Sequence, residues 1–231
     1  AEADDLGRVS AKYESGGRGV GFVSTGQGDP GGPSYGIHQL SAKDSMPAFL
    51  RSPEGQKYAE RLKGSPWSPE FRAEYQRIAA EDGAGLAKAQ KDFYTRTHYK
   101  PALEAAKRAG FDTEDRGVQE AIFSIGVQHG GAQKIIGAAS AEGNSAQQIR
   151  SLYAARRQYV AGVDLPPDTK QAVLNRYGPE ERDALGLAGR RIGVGAQNPG
   201  EEGDWGASRT YRKIGLPDHA DMVRPAINNF T

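Results

Sequence analysis

Nine of the 21 residues from Gly16 to Gly36 are glycine, and Pro30 and Pro33 lie among them. No helix or strand accommodates that density. Glycine loses more conformational freedom on ordering than any other residue, and it offers no side chain to pack. The chain must therefore carry one long irregular loop near its start, and loops of this size in compact domains tend to be functional.

Helical periodicity surrounds the loop. Leu6, Val9 and Tyr13 predict a short helix ending at Glu14. From about Ser41 to Tyr177 the pattern is helical almost throughout. Ser52-Pro53 and Ser68-Pro69 each set a capping hydroxyl before a proline at a first helical position. Phe71, Tyr75 and Ile78 line one face. Leu86, Gln90, Phe93 and Thr97 line another, interrupted at Pro101 and ending at Gly110. Asp112 is the expected cap of a helix through Val118, Ile122 and Ile125, closed by Gly130 after His129. Ile149, Leu152, Tyr153, Arg156 and Val160 mark a further amphipathic helix, and a last one runs through Val173 and Leu174 to Tyr177. Long alternating runs are missing, so the fold class is mainly α, with at most a short hairpin around Val20–Thr25 and Tyr35–Leu40. After about Gly189 the chain turns loop-like, with six glycines from Gly189 to Gly206 inclusive. The expected division is a domain over residues 1–189 and a glycine-rich tail or extension over 190–231. No internal repeat occurs.

Leu, Ile, Val and Phe supply only 39 of the 231 residues. Such scarcity signals disorder only when net charge is high. Here 30 basic residues meet 29 acidic ones, a net charge of +1, so a folded core leaning on Ala, Tyr and Gly is expected. Without cysteine there is no disulfide, thiol nucleophile or Cys-ligated zinc. No apolar run is long enough to span a membrane. The start, AEADDLGRVSAKYE, lacks the basic and apolar regions of a signal peptide. Balanced charge without basic blocks argues against a nucleic-acid binder. The four histidines (38, 98, 129 and 219) show no ligand spacing, so neither a metal nor another cofactor is expected.

Glu14 and Asp29 bracket the loop. Glycosidic cleavage needs such asymmetry: one carboxyl desolvated enough to hold a proton, the other kept ionised in polar surroundings. Glu14, on a helix that buries its other face, suits the first role, and Asp29, among loop N–H groups, the second. The plainer alternative is a solvated helix-end Glu and a turn-forming Asp. Gly26-x-Gly28-x-x-Gly31 matches the dinucleotide pattern, but no apolar strand precedes it and no helix opens behind it.

The strings ESGG, GDPGG and SYGIHQLS resemble the lysozyme-like domains at the C-termini of type VI secretion VgrG spike proteins, and those of related phage endolysins. More remotely they are similar to chitosanases, goose-type lysozymes and soluble lytic transglycosylases. SIGVQHGG, Ser124 to Gly131, is a second match. Tyr153-x-x-Arg156 and Arg176-Tyr177 are weaker ones, and residues 190–231 match nothing. The resemblance implies a lysozyme-like, α-rich fold and cleavage of a β-1,4 aminosugar polymer, with Glu14 as general acid and Asp29 as second carboxylate.

Ser34, Tyr35 and Gln39 follow the loop and are candidate substrate-binding residues. Tyr suits stacking on sugar and Gln suits hydrogen bonding, though Tyr35 equally suits a core. Gln128 and His129 either line the cleft or simply end a helix. Tyr153 and Arg156 share a helix face. Arg156 or Arg176 pairs with a catalytic carboxylate, or with an acid such as Glu180. The expected protein is a monomeric, muramidase-type hydrolase of peptidoglycan. It reaches the bacterial cell wall or periplasm through a secretion machine or phage lysis, and an immunity protein is an expected partner. The alternatives are a lytic transglycosylase, a chitosanase, and a non-catalytic wall-binding module.

Overall fold

A computed structural model describes residues 6–14 and 18–191, apart from the side chain of Glu14. Its organising element is a helix over Arg116–Gln128 in which every residue after Arg116 is buried. A helix buried on all sides must be surrounded. The described helices, in chain order, are α1 (Arg8–Glu14), α2 (Ser45–Arg51), α3 (Gln56–Ala59), α4 (Pro69–Glu81), α5 (Gly83–Tyr94), α6 (Lys100–Arg108), this central α7, α8 (Ala132–Ala138), α9 (Ser145–Gly162) and α10 (Pro167–Leu185), and α1, α6, α8, α9 and α10 pack around α7. The mainly helical class expected from periodicity is the one observed.

Small residues explain how a chain poor in large aliphatics fills its core. A Cβ on Gly117 would lie 2.5 Å from the Ala184 carbonyl, and one on Gly126 3.0 Å from the His98 carbonyl, so α7 approaches its neighbours backbone to backbone. Tyrosine supplies the remaining bulk, with eight of the nine described tyrosines buried. Each buried hydroxyl needs a partner. Tyr75 donates to the Val20 carbonyl at 2.6 Å, and Tyr58 to Asp82 at 2.9 Å.

The small sheet pairs β1 (Ser34–Tyr35) with β2 (Leu40–Ser41), Tyr35 opposite Leu40. On its other side Tyr35 bridges Val23 in antiparallel sense. The small hairpin expected near the loop is thus present, but its two strands lie at the second of the expected segments, and Val20–Thr25 contributes only the single bridge at Val23.

Local signals were right at several boundaries. Ser68 caps α4 by accepting from Phe71 N–H at 3.1 Å, with Pro69 at the first position. Three boundaries differ from expectation. The cap of α7 is Asp115, not Asp112: it accepts from Val118 N–H at 3.1 Å and from Gly189 N–H at 2.6 Å. Ser52 does not open a helix; its hydroxyl closes α2 by donating to the Phe49 carbonyl at 2.6 Å. α10 continues past Tyr177 through Pro179 to Leu185. Between α5 and α6 the chain widens into a π turn, Thr95–Tyr99. Proline removes an N–H and crowds the carbonyl four residues back, and a wider turn before Pro101 relieves both.

Of the expected C-terminal extension, residues 190 and 191 are described. Arg190 accepts from Arg116 N–H at 2.9 Å, and Arg191 pairs with Asp112 at 2.9 Å. Residues 192–231 lie outside the described part. No described helix is long and apolar enough to cross a membrane.

Candidate functional site

The glycine loop is zipped at its base. Ser24 N–H donates to the Ser34 carbonyl at 2.9 Å, and Gly36 N–H to the Phe22 carbonyl at 2.8 Å. The other leg is tied to the chain after β2: Ala42 N–H donates to the Pro33 carbonyl at 2.8 Å and Lys43 N–H to the Gly31 carbonyl at 3.0 Å. α4 braces the base from behind through Tyr75 to Val20 and through Arg72 to the Ser24 carbonyl at 3.2 Å. Glycine is sterically required at Gly36 and Gly26, among other positions of the loop. Gly36 has φ +81°, and a Cβ there would lie 2.1 Å from Gln90 Oε1; Gly26 has φ +69°, and a Cβ would lie 2.3 Å from Pro33 N.

Asp29 occupies the tip and is half-buried. Its N–H donates to the Gly26 carbonyl at 3.1 Å and its carbonyl accepts from Gly32 N–H at 2.9 Å. The carboxylate takes Gly31 N–H at 2.6 Å, which fixes its orientation.

Glu14 is the last residue of α1, and its side chain lies outside the described residues, as do Ser15, Gly16 and Gly17. The helix that carries it is held at both ends. At its start, Gly7 and Val9 N–H groups donate to the buried Glu120 carboxylate at 2.9 and 3.2 Å. This satisfies the exposed donors of a first helical turn with a negative charge, the favourable sign there. Gly7, at φ +88°, also lets Phe123 approach so closely that a Cβ would lie 2.8 Å from its ring. Toward the other end, Lys12 Nζ and the Tyr13 hydroxyl both reach Asp183 Oδ2 at 2.7 Å.

The seven residues expected to bind substrate are each at most 2% exposed. In this structure all seven lie inside the fold. Ser34 takes part in the loop base. Tyr35 donates to the Pro66 carbonyl at 2.5 Å and packs edge-on against Phe71 and Tyr75; burial above all pushes its phenol up to about 12. Gln39 sits at φ +56°, a left-handed conformation uncommon outside glycine, with its amide donating to the Gly36 carbonyl at 2.8 Å.

Gln128, His129, Tyr153 and Arg156 belong to a second, internal cluster around Glu180. The Glu180 carboxylate accepts from Arg156 at 2.7 Å, Arg176 at 2.8 Å, Tyr153 at 2.8 Å and the Ser124 hydroxyl. Of the two alternatives for Arg156 and Arg176, the structure selects Glu180 for both. Burial raises the Glu180 carboxyl, but the Arg156 and Arg176 guanidiniums outweigh it and hold the group well below the usual carboxylate range. Arg156 also donates to His129 Nε2 at 2.9 Å and to Gln128 Oε1, and lies 4.3 Å from the centre of the Tyr177 ring. Accepting at Nε2 makes His129 a neutral imidazole. Burial first, then the two cations, push its titration well below the ordinary histidine value.

Sequence reasoning missed Glu120, Asp183 and Trp67. The first two are ordinary helical acids until their partners are known. Trp67 does carry a local signal, as an aromatic set between two Ser-Pro pairs, Ser65-Pro66 and Ser68-Pro69. Among the described residues no group of three His, Asp or Glu side chains is arranged to hold a metal ion.

The chain matches the family described as type VI secretion system spike protein VgrG3-like, C-terminal, over residues 6–163. It is also 36% identical over 134 residues to the type VI secretion system spike protein VgrG3 of Vibrio cholerae serotype O1, an alignment covering 57% of this chain and 13% of that protein.

Proposed function

The chain belongs to the VgrG3-like C-terminal family of type VI secretion spike proteins, and from that premise we propose that it is a peptidoglycan glycoside hydrolase of the muramidase type. The observation that carries this reading is the placement of Asp29. In a loop whose base is buried and cross-bonded, the one acid sits at the tip with its carboxylate oriented by a backbone N–H. Opposite it in the sequence stands Glu14, at the end of a helix clamped by Glu120 and Asp183. An oriented Asp29 carboxylate and an anchored helix carrying Glu14 suit general acid–base work.

In this reading Glu14 protonates the glycosidic oxygen as the bond to C1 breaks. Asp29 removes a proton from the water whose oxygen bonds to C1 from the opposite face, inverting its configuration. Delivery through the secretion apparatus to the cell wall, and an immunity protein in the producing cell, belong to the same proposal. The catalytic unit is residues 1–189, and residues 190–231 are its extension.

Mass spectrometry of fragments released from purified peptidoglycan tests the reaction class. Free reducing ends support hydrolysis. Ends closed as 1,6-anhydro sugars assign a transglycosylase, which needs the Glu but no water-activating Asp, and an absence of fragments despite binding assigns a wall-binding module.

A further inference from the structure

Trp67 is the one large apolar side chain left exposed among the described residues, with 52% of its surface in solvent. It is nevertheless firmly placed. Its N–H donates to Ser65 Oγ at 3.2 Å, the preceding Pro66 carbonyl receives the Tyr35 hydroxyl at 2.5 Å, and the following Ser68 caps α4. The benzo end of the indole lies on Gly32: a Cβ there would be 2.5–2.7 Å from Cη2, Cζ3 and Cζ2. Gly32 N–H in turn donates to the carbonyl of Asp29 at 2.9 Å. One tight turn of backbone therefore joins an exposed indole to the candidate base.

Surface aromatics fixed on rigid backbone suit flat ligands with one apolar face and a polar rim. A pyranose ring is such a ligand, with axial C–H groups on its faces and hydroxyls around its edge. The surroundings fit a sugar better than a protein partner. Ser65 and Ser68 flank the indole, exposed Thr25 and Gln27 share the loop tip with Asp29, and among the described residues no second large apolar side chain is exposed to widen the indole into the apolar patch that marks a protein interface. We infer that Trp67 is a stacking platform that seats one pyranose of the glycan strand beside Asp29. This inference rests on the glycosidase reading and adds to it a binding residue that orients the substrate.

The test uses intrinsic fluorescence. Trp205 is the other tryptophan in the chain, so a Trp205→Phe protein reports on Trp67 alone, and Glu14→Gln in the same chain prevents turnover. Titration with soluble, peptide-free glycan strands of peptidoglycan should change Trp67 emission along a saturating curve. That curve should give the same Kd as calorimetry on the same sample. Trp67→Ala should weaken Kd about tenfold and Trp67→Phe by much less, the difference one lost aromatic contact makes. The emission titration leaves Trp67 in place, so it does not depend on how well the alanine variant folds. Strands that bind without moving Trp67 emission, and bind the alanine variant equally well, overturn the platform while leaving the glycosidase reading intact. Wild-type protein that neither binds nor cleaves the strands overturns both.

Discussion

At the scale of single residues, the glycine loop depends on positions where a side chain cannot be added. Gly32 combines φ +74° with the indole of Trp67 against its Cα. Gly32→Ala should cost about 1–2 kcal/mol from the left-handed conformation alone, with a further loss as Trp67 is displaced; urea unfolding measures the sum. Tyr35→Phe is the milder counterpart. It keeps the ring contacts with Phe71 and Tyr75 but leaves the Pro66 carbonyl without its hydroxyl donor. A loss of about 1 kcal/mol is expected in the same assay. These residues also show the limits of reading a site from residue types. Tyr35, Gln39, Gln128 and Arg156 are good sugar-binding chemistry, and each is buried. Exposure depends on which helix covers which face. That is a non-local fact: Arg156 meets Glu180 from 24 positions away, and Tyr35 meets Pro66 from 31.

Among elements, α1 is the one whose placement bears most on function, because it carries Glu14. Seven residues make no stable helix by themselves, so tertiary anchors hold it. Glu120→Gln exchanges an acceptor oxygen for a donor and leaves one of the Gly7 and Val9 N–H groups unmatched. The expected cost is about 1–3 kcal/mol. It should appear in hydrogen exchange as lost protection over residues 8–14, together with reduced activity. The helices themselves were legible wherever a 3.6-residue apolar period ran uninterrupted, as in α4 and α9. Ends were less so. Asp112 and Asp115 are equally good local caps for α7, and Asp115 prevails because Gly189, 74 residues on, also donates to it. The extension of α10 through Pro179 likewise depends on long-range partners, since Glu180 is gripped by Arg156 and Tyr153 of α9.

For the whole molecule, the buried cluster around Glu180 ties α7, α9 and α10 together, and its charges make stability depend on pH. Both His129 and Glu180 titrate lower folded than unfolded. The unfolded chain therefore binds more protons in acid, and stability falls as pH falls. The loss begins below about 6.5, the ordinary histidine value, and steepens below 4.5, the ordinary glutamate value. His129 alone should contribute a slope approaching about 1.4 kcal/mol per pH unit. His129→Gln keeps an acceptor for Arg156 and should remove that part of the slope in thermal unfolding between pH 7 and 5. Glu180→Gln leaves two buried guanidiniums with a neutral partner and should cost about 3–5 kcal/mol at pH 7.

The sequence alone showed a helical domain interrupted by one glycine-rich loop that follows Glu14 and contains Asp29, and the fold braces that loop with Asp29 at its tip. Whether those acids do the chemistry is decided by the release of soluble reducing ends from purified peptidoglycan by wild type, Glu14→Gln and Asp29→Asn. Each substitution removes a proton-transfer group worth roughly 10²–10⁴ in rate. Wild type should release reducing ends steadily, and both variants should fall by about that factor while unfolding at the wild-type temperature. Undiminished release by either variant would contradict the account.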